Sequence, residues 1–192
     1  RANLTLQDLN GIAFGAGPGS FTGVRIAAGV AQGLALGANL PVVGICTLLA
    51  LAEASQAQRV IACLDARMGE VYHAAYIKVA DVWQEVHAPS VCKPELVPAV
   101  LGVDWLGVGS GWQTYPEQLT AAYATQLSNT CPTLVPSATA ILQLARPMLN
   151  NGQAHLASDA MPIYVRNRVA LTTLERETVA LEKLALQKAA AI

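Results

Sequence analysis

Charged side chains are scarce in this chain. Asp, Glu, Lys and Arg make up 13% of its 192 residues, against ~25% in an ordinary soluble domain. Neither sign is in surplus, with 12 Lys and Arg set against 13 Asp and Glu and a pI near 6.3. A surface that grips nucleic acid unaided needs a clear basic excess, so that function is excluded for the chain alone. Apolar residues, by contrast, reach 53%, and the mean hydropathy is +0.39. That excludes disorder. It also leaves too few charges to cover a monomer, so part of the apolar surface is expected to be buried by a partner.

Several chemistries lack their residues as well. Cys46, Cys63, Cys92 and Cys131 form no CxxC pair, which argues against disulfide or zinc frameworks and for free thiols in a reduced, cytoplasmic protein. His73, His87 and His155 stand far apart, with no HExxH, so no metal is expected. There is no GxSxG elbow, and no Lys-Ser or Lys-Thr to complete a Walker A loop. No basic and apolar leader marks the start, which lacks Met and reads as a processed, truncated or internal beginning. The uncharged run from Ile26 to Ala52 is long enough to cross a bilayer. Gln32, Asn39 and Pro41 interrupt it, and neither half is expected to span a membrane.

Strands and helices alternate along the chain, which predicts an α/β class with some antiparallel pairing. Ile12–Phe14 reads as a strand feeding a glycine-rich turn over Gly15–Gly23, then a helix over Thr22–Ala38 closed by Pro41. A strand at Val42–Ile45, a helix at Thr47–Ala57 and a strand at Arg59–Leu64 follow. Glu70–Val79 alternates as an antiparallel partner, and Trp83–Ala88 adds a third strand. A short helix opens at Pro94 and a strand runs over Trp105–Gly109. Helices are expected at Pro116–Thr125, Ser137–Asn150 and Thr173–Ala191, with Met161–Arg166 extended.

The most distinctive stretch is Gly15-Ala16-Gly17-Pro18-Gly19-Ser20-Phe21-Thr22-Gly23. A strand, a glycine turn and a helix N-terminus can cradle an anion with free N–H groups. The same residues also make a plain tight turn capped by Ser20 or Thr22. Arg25 in the first turn opposes the helix dipole and points to an anion or carboxylate close by. Downstream, Gly29, Gly33 and Gly37 recur every fourth residue beside a stripe of Ala27, Ala31 and Ala35. An interior glycine costs about 1 kcal/mol against alanine, so close backbone packing is expected there, either within the lobe or against another subunit. Asp65 and Arg67 sit at a strand end, where they either brace the turn or act on a ligand.

Gly17-Pro18-Gly19-Ser20-Phe21-Thr22-Gly23-Val24-Arg25-Ile26 closely resembles the TsaB (YeaZ) family. The likeness continues through Ala31–Ala35, Asp65–Tyr72, Gly109–Trp112 and Pro162–Asn167, and so covers most of the chain to about Ala170. The resemblance implies an actin-like, Hsp70-like ATPase fold of the ribonuclease H-like kind, in two lobes with mixed sheets and flanking helices. Residues 1–45 would form the remainder of the first lobe, joined by 160–192, with 46–159 as the second lobe. It further implies a family segment ahead of Arg1 holding the first β-hairpin and first long helix.

The function so implied is that of a non-catalytic scaffold or activator subunit in tRNA threonylcarbamoyladenosine synthesis. It would pair with a TsaD-like catalytic paralogue and recruit a TsaE-like ATPase. Without its partner it would form a homodimer through the same surface, and it would meet tRNA only through the complex. The expected partner interface is Val24, Ala28, Gly29, Ala31, Gln32, Gly33, Ala35 and Leu36. Gly17, Gly19, Ser20, Thr22 and Arg25 are candidates for contact with an anion or nucleotide, and Asp65, Arg67 and Glu70 for a structural role. No catalytic residue, cofactor or metal is expected. Two enzyme readings stand as alternatives: a metal-dependent glycoprotease-like peptidase, as relatives have been labelled, and a kinase-like ATPase relying on Asp65.

Overall fold

The computed structural model describes residues 4–166, organised around two sheets. In the first, β1 (Ile12–Gly17) and β2 (Val42–Cys46) run parallel, joined by the crossover helix α1 (Phe21–Ala38). Asn39 stops α1 in the left-handed conformation, φ 53°, its N–H reaching the Ala35 and Leu36 carbonyls. Side chains alternate across this sheet. Phe14, Ala16 and Val42 pack with Ala28, Ala31 and Ala35 of α1 and with Ala157 and Ala160. On the opposite face, Val43 and Ile45 meet Ala50 of α2 (Thr47–Ser55) and Ala145 of α5 (Ala138–Asn150).

The second sheet has the order β5-β4-β3-β6-β7. β3 (Arg59–Arg67), β4 (Glu70–Val79) and β5 (Val82–Cys92) form an antiparallel meander, after which β6 (Trp105–Val108) and β7 (Leu127–Cys131) add in parallel. That is the strand arrangement of the ribonuclease H-like fold shared by actin-like and Hsp70-like ATPases. The apolar run Val60–Cys63 has no polar face because β3 is covered on both sides. Val60 and Ala62 pack on Leu48, Leu51 and Ala52 of α2. Ile61 and Cys63 pack toward Trp112 of α3 (Ser110–Thr114) and Leu119 and Tyr123 of α4 (Pro116–Tyr123). Helix α2 therefore has one face in each sheet's core. Just past the end of β6, Gly109 has a φ of +97°, and a Cβ there would meet the Cys63 carbonyl oxygen at 2.6 Å.

Some expectations need correcting. Helix α5 packs on β1 and β2 as well as on α2. The chain returns to the first sheet by Ser137, and His155 then bridges Val42 in antiparallel fashion. The third strand is longer than Trp83–Ala88, because its outward residues are exposed and polar alternation fades beyond Ala88. Helix α3 and strand β7 were not anticipated. Strand β7 is a short edge strand whose Ser128, Asn129 and Thr130 are exposed, so it lacks an apolar signature. Helix α1 has the length and hydropathy of a membrane-crossing helix, by length and composition only. One stripe of it is committed to the core of the first sheet. The helix expected over Thr173–Ala191 lies outside the described residues.

Candidate functional site

The glycine-rich turn and the β3–β4 hairpin face each other across a cleft between the sheets. Two adjoining chambers of about 410 and 330 Å³ share Pro18, Gly19, Ser20, Val24 and Asp65 as walls. Strand β1 ends at Gly17, whose φ of +107° favours glycine. A Cβ at Gly17 would also meet the Ile163 carbonyl oxygen at 3.2 Å. Of the two candidate caps, Ser20 does the capping: its Oγ accepts the Gly23 N–H at 3.4 Å.

Of the residues named for anion contact, Gly19 and Ser20 line the cleft, whereas Gly17, Thr22 and Arg25 do not. Arg25 Nη1 donates to the Phe21 carbonyl at 3.2 Å. Its guanidinium lies 3.4 Å from the Phe21 ring centroid and 5.1 Å from that of Tyr164. The charge opposing the helix dipole is met by a carbonyl and two π faces. Among the described residues Arg25 makes no ion pair.

Across the cleft, Asp65 is bound into its own hairpin. Its carboxylate accepts the Arg67 N–H at 2.9 Å and pairs with Arg67 Nη1 at 3.2 Å. The Asp65 N–H donates to Ser110 Oγ at 3.1 Å. This is the bracing arrangement, an Asx turn that holds Arg67 and Met68 at positive φ, 62° and 58°, before Gly69. Acting as a general base, Asp65 would first have to shed both partners. Burial first, and the Asp65 charge second, push the neighbouring Tyr115 phenol up. Glu70 reaches out of the same hairpin to Arg166. Among the described residues no three His, Cys, Asp or Glu side chains gather into a metal-holding group.

The face of α1 turned away from the core is apolar and open. Ile26, Val30 and Leu36 are 60%, 56% and 64% exposed, and Leu34 is 40% exposed. Between them, a Cβ added at Gly29, Gly33 or Gly37 meets nothing within 4 Å among the described residues. Among those residues it is the alanine stripe, not the glycine stripe, that packs inside the lobe. Of the expected interface residues, Gly29, Gly33 and Leu36 lie on the open face. Ala28, Ala31 and Ala35 are buried and cannot present side chains to a partner. Val24 lines the cleft, and Gln32 Nε2 donates to the Ser158 carbonyl at 3.3 Å. Ile26, Val30 and Leu34 were missed, although their spacing of four residues between the glycines carries the signal.

Residues 1–173 match the family model described as TsaD, tRNA N6-adenosine threonylcarbamoyltransferase. The chain is 41% identical to the tRNA threonylcarbamoyladenosine biosynthesis protein TsaB of Escherichia coli K12, over 86% of this chain and 74% of that protein. It is 39% identical to the TsaB protein of Haemophilus influenzae, over 88% and 75%. Among solved structures, it superposes on a Pseudomonas aeruginosa protein described as similar to peptidase YEAZ. The TM-score is 0.79 at 37% identity, covering 86% of this chain and 77% of that one. A second structure, YeaZ from Pseudomonas aeruginosa, gives 0.75 at 35% identity, covering 85% and 76%.

Proposed function

The chain belongs to the TsaB (YeaZ) family, and on that premise we propose that it is a non-catalytic subunit of tRNA threonylcarbamoyladenosine synthesis, pairing through α1 with a TsaD-like catalytic subunit. The observation that carries this reading is the open face of α1. Ile26, Val30, Leu34 and Leu36 surround three glycines whose Cα atoms let another helix backbone approach closely. An apolar surface of this kind costs solubility unless it is covered. In the absence of the catalytic subunit, a second copy of this chain covers it.

The cleft is secondary in this reading. Gly19 and Ser20 offer the turn's remaining contact to an anion or nucleotide, while Asp65 and Arg67 keep the hairpin in shape. With a net charge of -1, the chain meets tRNA through the assembly, which also takes in a TsaE-like ATPase, in the cytoplasm where tRNA is modified.

The test is reconstituted threonylcarbamoyl transfer to tRNA with a TsaD-like protein, a TsaE-like ATPase, the threonylcarbamoyl-adenylate donor and ATP. Transfer is expected only when this chain is added, and not from this chain alone. Gly33→Leu, which fills the open face, is expected to abolish both pairing and transfer. Transfer that proceeds equally well without the chain overturns the proposal.

A further inference from the structure

Two stretches that stand out in the sequence, Asp65–Tyr72 and Pro162–Arg166, meet in space, and the subunit role makes no use of their meeting. Residues 163–166 line the wall of the cleft, with three anchors in four residues. On the first sheet, the Ile163 N–H donates to the Ala16 carbonyl at 2.7 Å. On α1, the Tyr164 ring lies 5.1 Å from the Arg25 guanidinium, which is itself stacked on Phe21. On the second sheet, Arg166 Nη2 donates to Glu70 Oε2 and Nη1 approaches Met68 Sδ at 3.8 Å. The Arg166 guanidinium also stands 5.9 Å from the Tyr72 ring.

The Arg166 and Glu70 side chains are 16% and 33% exposed, so solvent screens this pair less than an open surface pair. Three anchors within four residues hold the segment to the first sheet, to α1 and to the second sheet at once. Among the described residues, releasing the Arg166 end leaves the Ile163 hydrogen bond and the Tyr164 cation–π contact as its polar tethers.

We propose that residues 161–166 form a strap between the sheets, with the Arg166–Glu70 ion pair as its clasp, coupling the opening of the cleft to the seating of the first turns of α1. The clasp is a property of the free chain. Its consequence for pairing rests on the subunit reading above, because α1 is the face offered to the partner.

The test is amide hydrogen exchange on the full chain and on Glu70→Gln, which removes the charge with little change of shape. In the variant, the amides of residues 163–166 and of 24–28 are expected to exchange about three- to tenfold faster. Residues 60–64, at the centre of β3, are expected to be unchanged. The charge swap Glu70→Arg with Arg166→Glu is expected to restore the native rates. No acceleration at 163–166 overturns the clasp, and acceleration there with 24–28 unmoved overturns the coupling. Should the core of β3 also exchange faster in Glu70→Gln, the swap decides: restored rates support the proposal and unrestored rates overturn it. The two readings fail separately. Loss of pairing in Gly33→Leu with no exchange effect in Glu70→Gln leaves the subunit and removes the clasp, and the opposite outcome does the reverse.

Discussion

His73 Nε2 and the Tyr123 hydroxyl lie 2.8 Å apart in the fully buried interior of the second sheet. The same hydroxyl donates its one proton to the Pro98 carbonyl at 2.8 Å. It must therefore accept from His73, which fixes the imidazole as the Nε2–H tautomer and leaves Nδ1 as a bare lone pair with no partner among the described residues. Burial, with the nearby His87 adding to it, holds His73 down at about 4 from an ordinary 6.5. The unfolded chain binds this proton at higher pH than the folded chain does. The stabilisation is thus complete above pH 6.5, erodes as pH falls toward 4, and changes no further below that. The loss is on the order of 3 kcal/mol. Urea unfolding at pH 7 and pH 4.5 should show this drop in the native chain and a much smaller one in His73→Phe. Equal pH slopes for the two would show that His73 does not titrate on unfolding.

Gly33→Leu separates stability from assembly. Nothing lies within 4 Å of a Cβ at this position, and replacing an exposed helical glycine with leucine gains about 0.5–1 kcal/mol of helix propensity. The variant should run as a monomer in size-exclusion chromatography and fail to capture a TsaD-like protein, and, compared with the native chain at a concentration low enough to dissociate its homodimer, it should melt a few degrees higher. A variant that melts lower even against the dissociated native chain would mean that the face is packed within the lobe itself.

Glu53 ties α2 to the meander of the second sheet. Its Oε2 accepts Trp83 Nε1 at 2.6 Å and Lys78 Nζ at 3.0 Å. Burial raises the Glu53 carboxyl, but these two donors outweigh it and hold the group below its usual range. Its contribution is therefore present above the ordinary glutamate pKa and is lost as pH falls through the lowered folded value. Glu53→Ala leaves the indole N–H and the ammonium without their acceptor and should cost about 1–3 kcal/mol by chemical denaturation at pH 7. Glu53→Gln, which keeps an acceptor, should cost less.

Much of the architecture was legible because burial writes itself into residue type. Val60–Cys63 is apolar at every position because both faces of β3 are covered, and Glu70–Val79 alternates in burial over its first four residues before its centre, His73–Tyr76, is buried on both faces. The Asn39–Pro41 stop, the Ser20 cap and the Asp65 turn are local devices, visible within a few residues. Strand β7 was not legible, since an edge strand with solvated Ser128, Asn129 and Thr130 looks like a loop. Helix α1 was half legible. Its alanine and glycine stripes have the same spacing, and only the packing of Ala28, Ala31 and Ala35 on Phe14 and Val42 decides which one faces inward. The contact between Glu70 and Arg166, 96 residues apart, leaves no trace in local pattern at all.

The order in which α5 and His155 join the first sheet has a consequence for biosynthesis. Strands β3 to β7 pair within residues 59–131, so that sheet can close as soon as those residues leave the ribosome. Strands β1 and β2 emerge first but receive α5, His155, Ala157 and Ala160 last. The older sheet therefore waits, half covered, while the younger one folds. Because such long-range closure is slow and exposes apolar surface meanwhile, Val43 and Ile45 on the far face of the first sheet stay bare until α5 arrives, even though the alanine stripe of α1 can already pack on Phe14 and Val42.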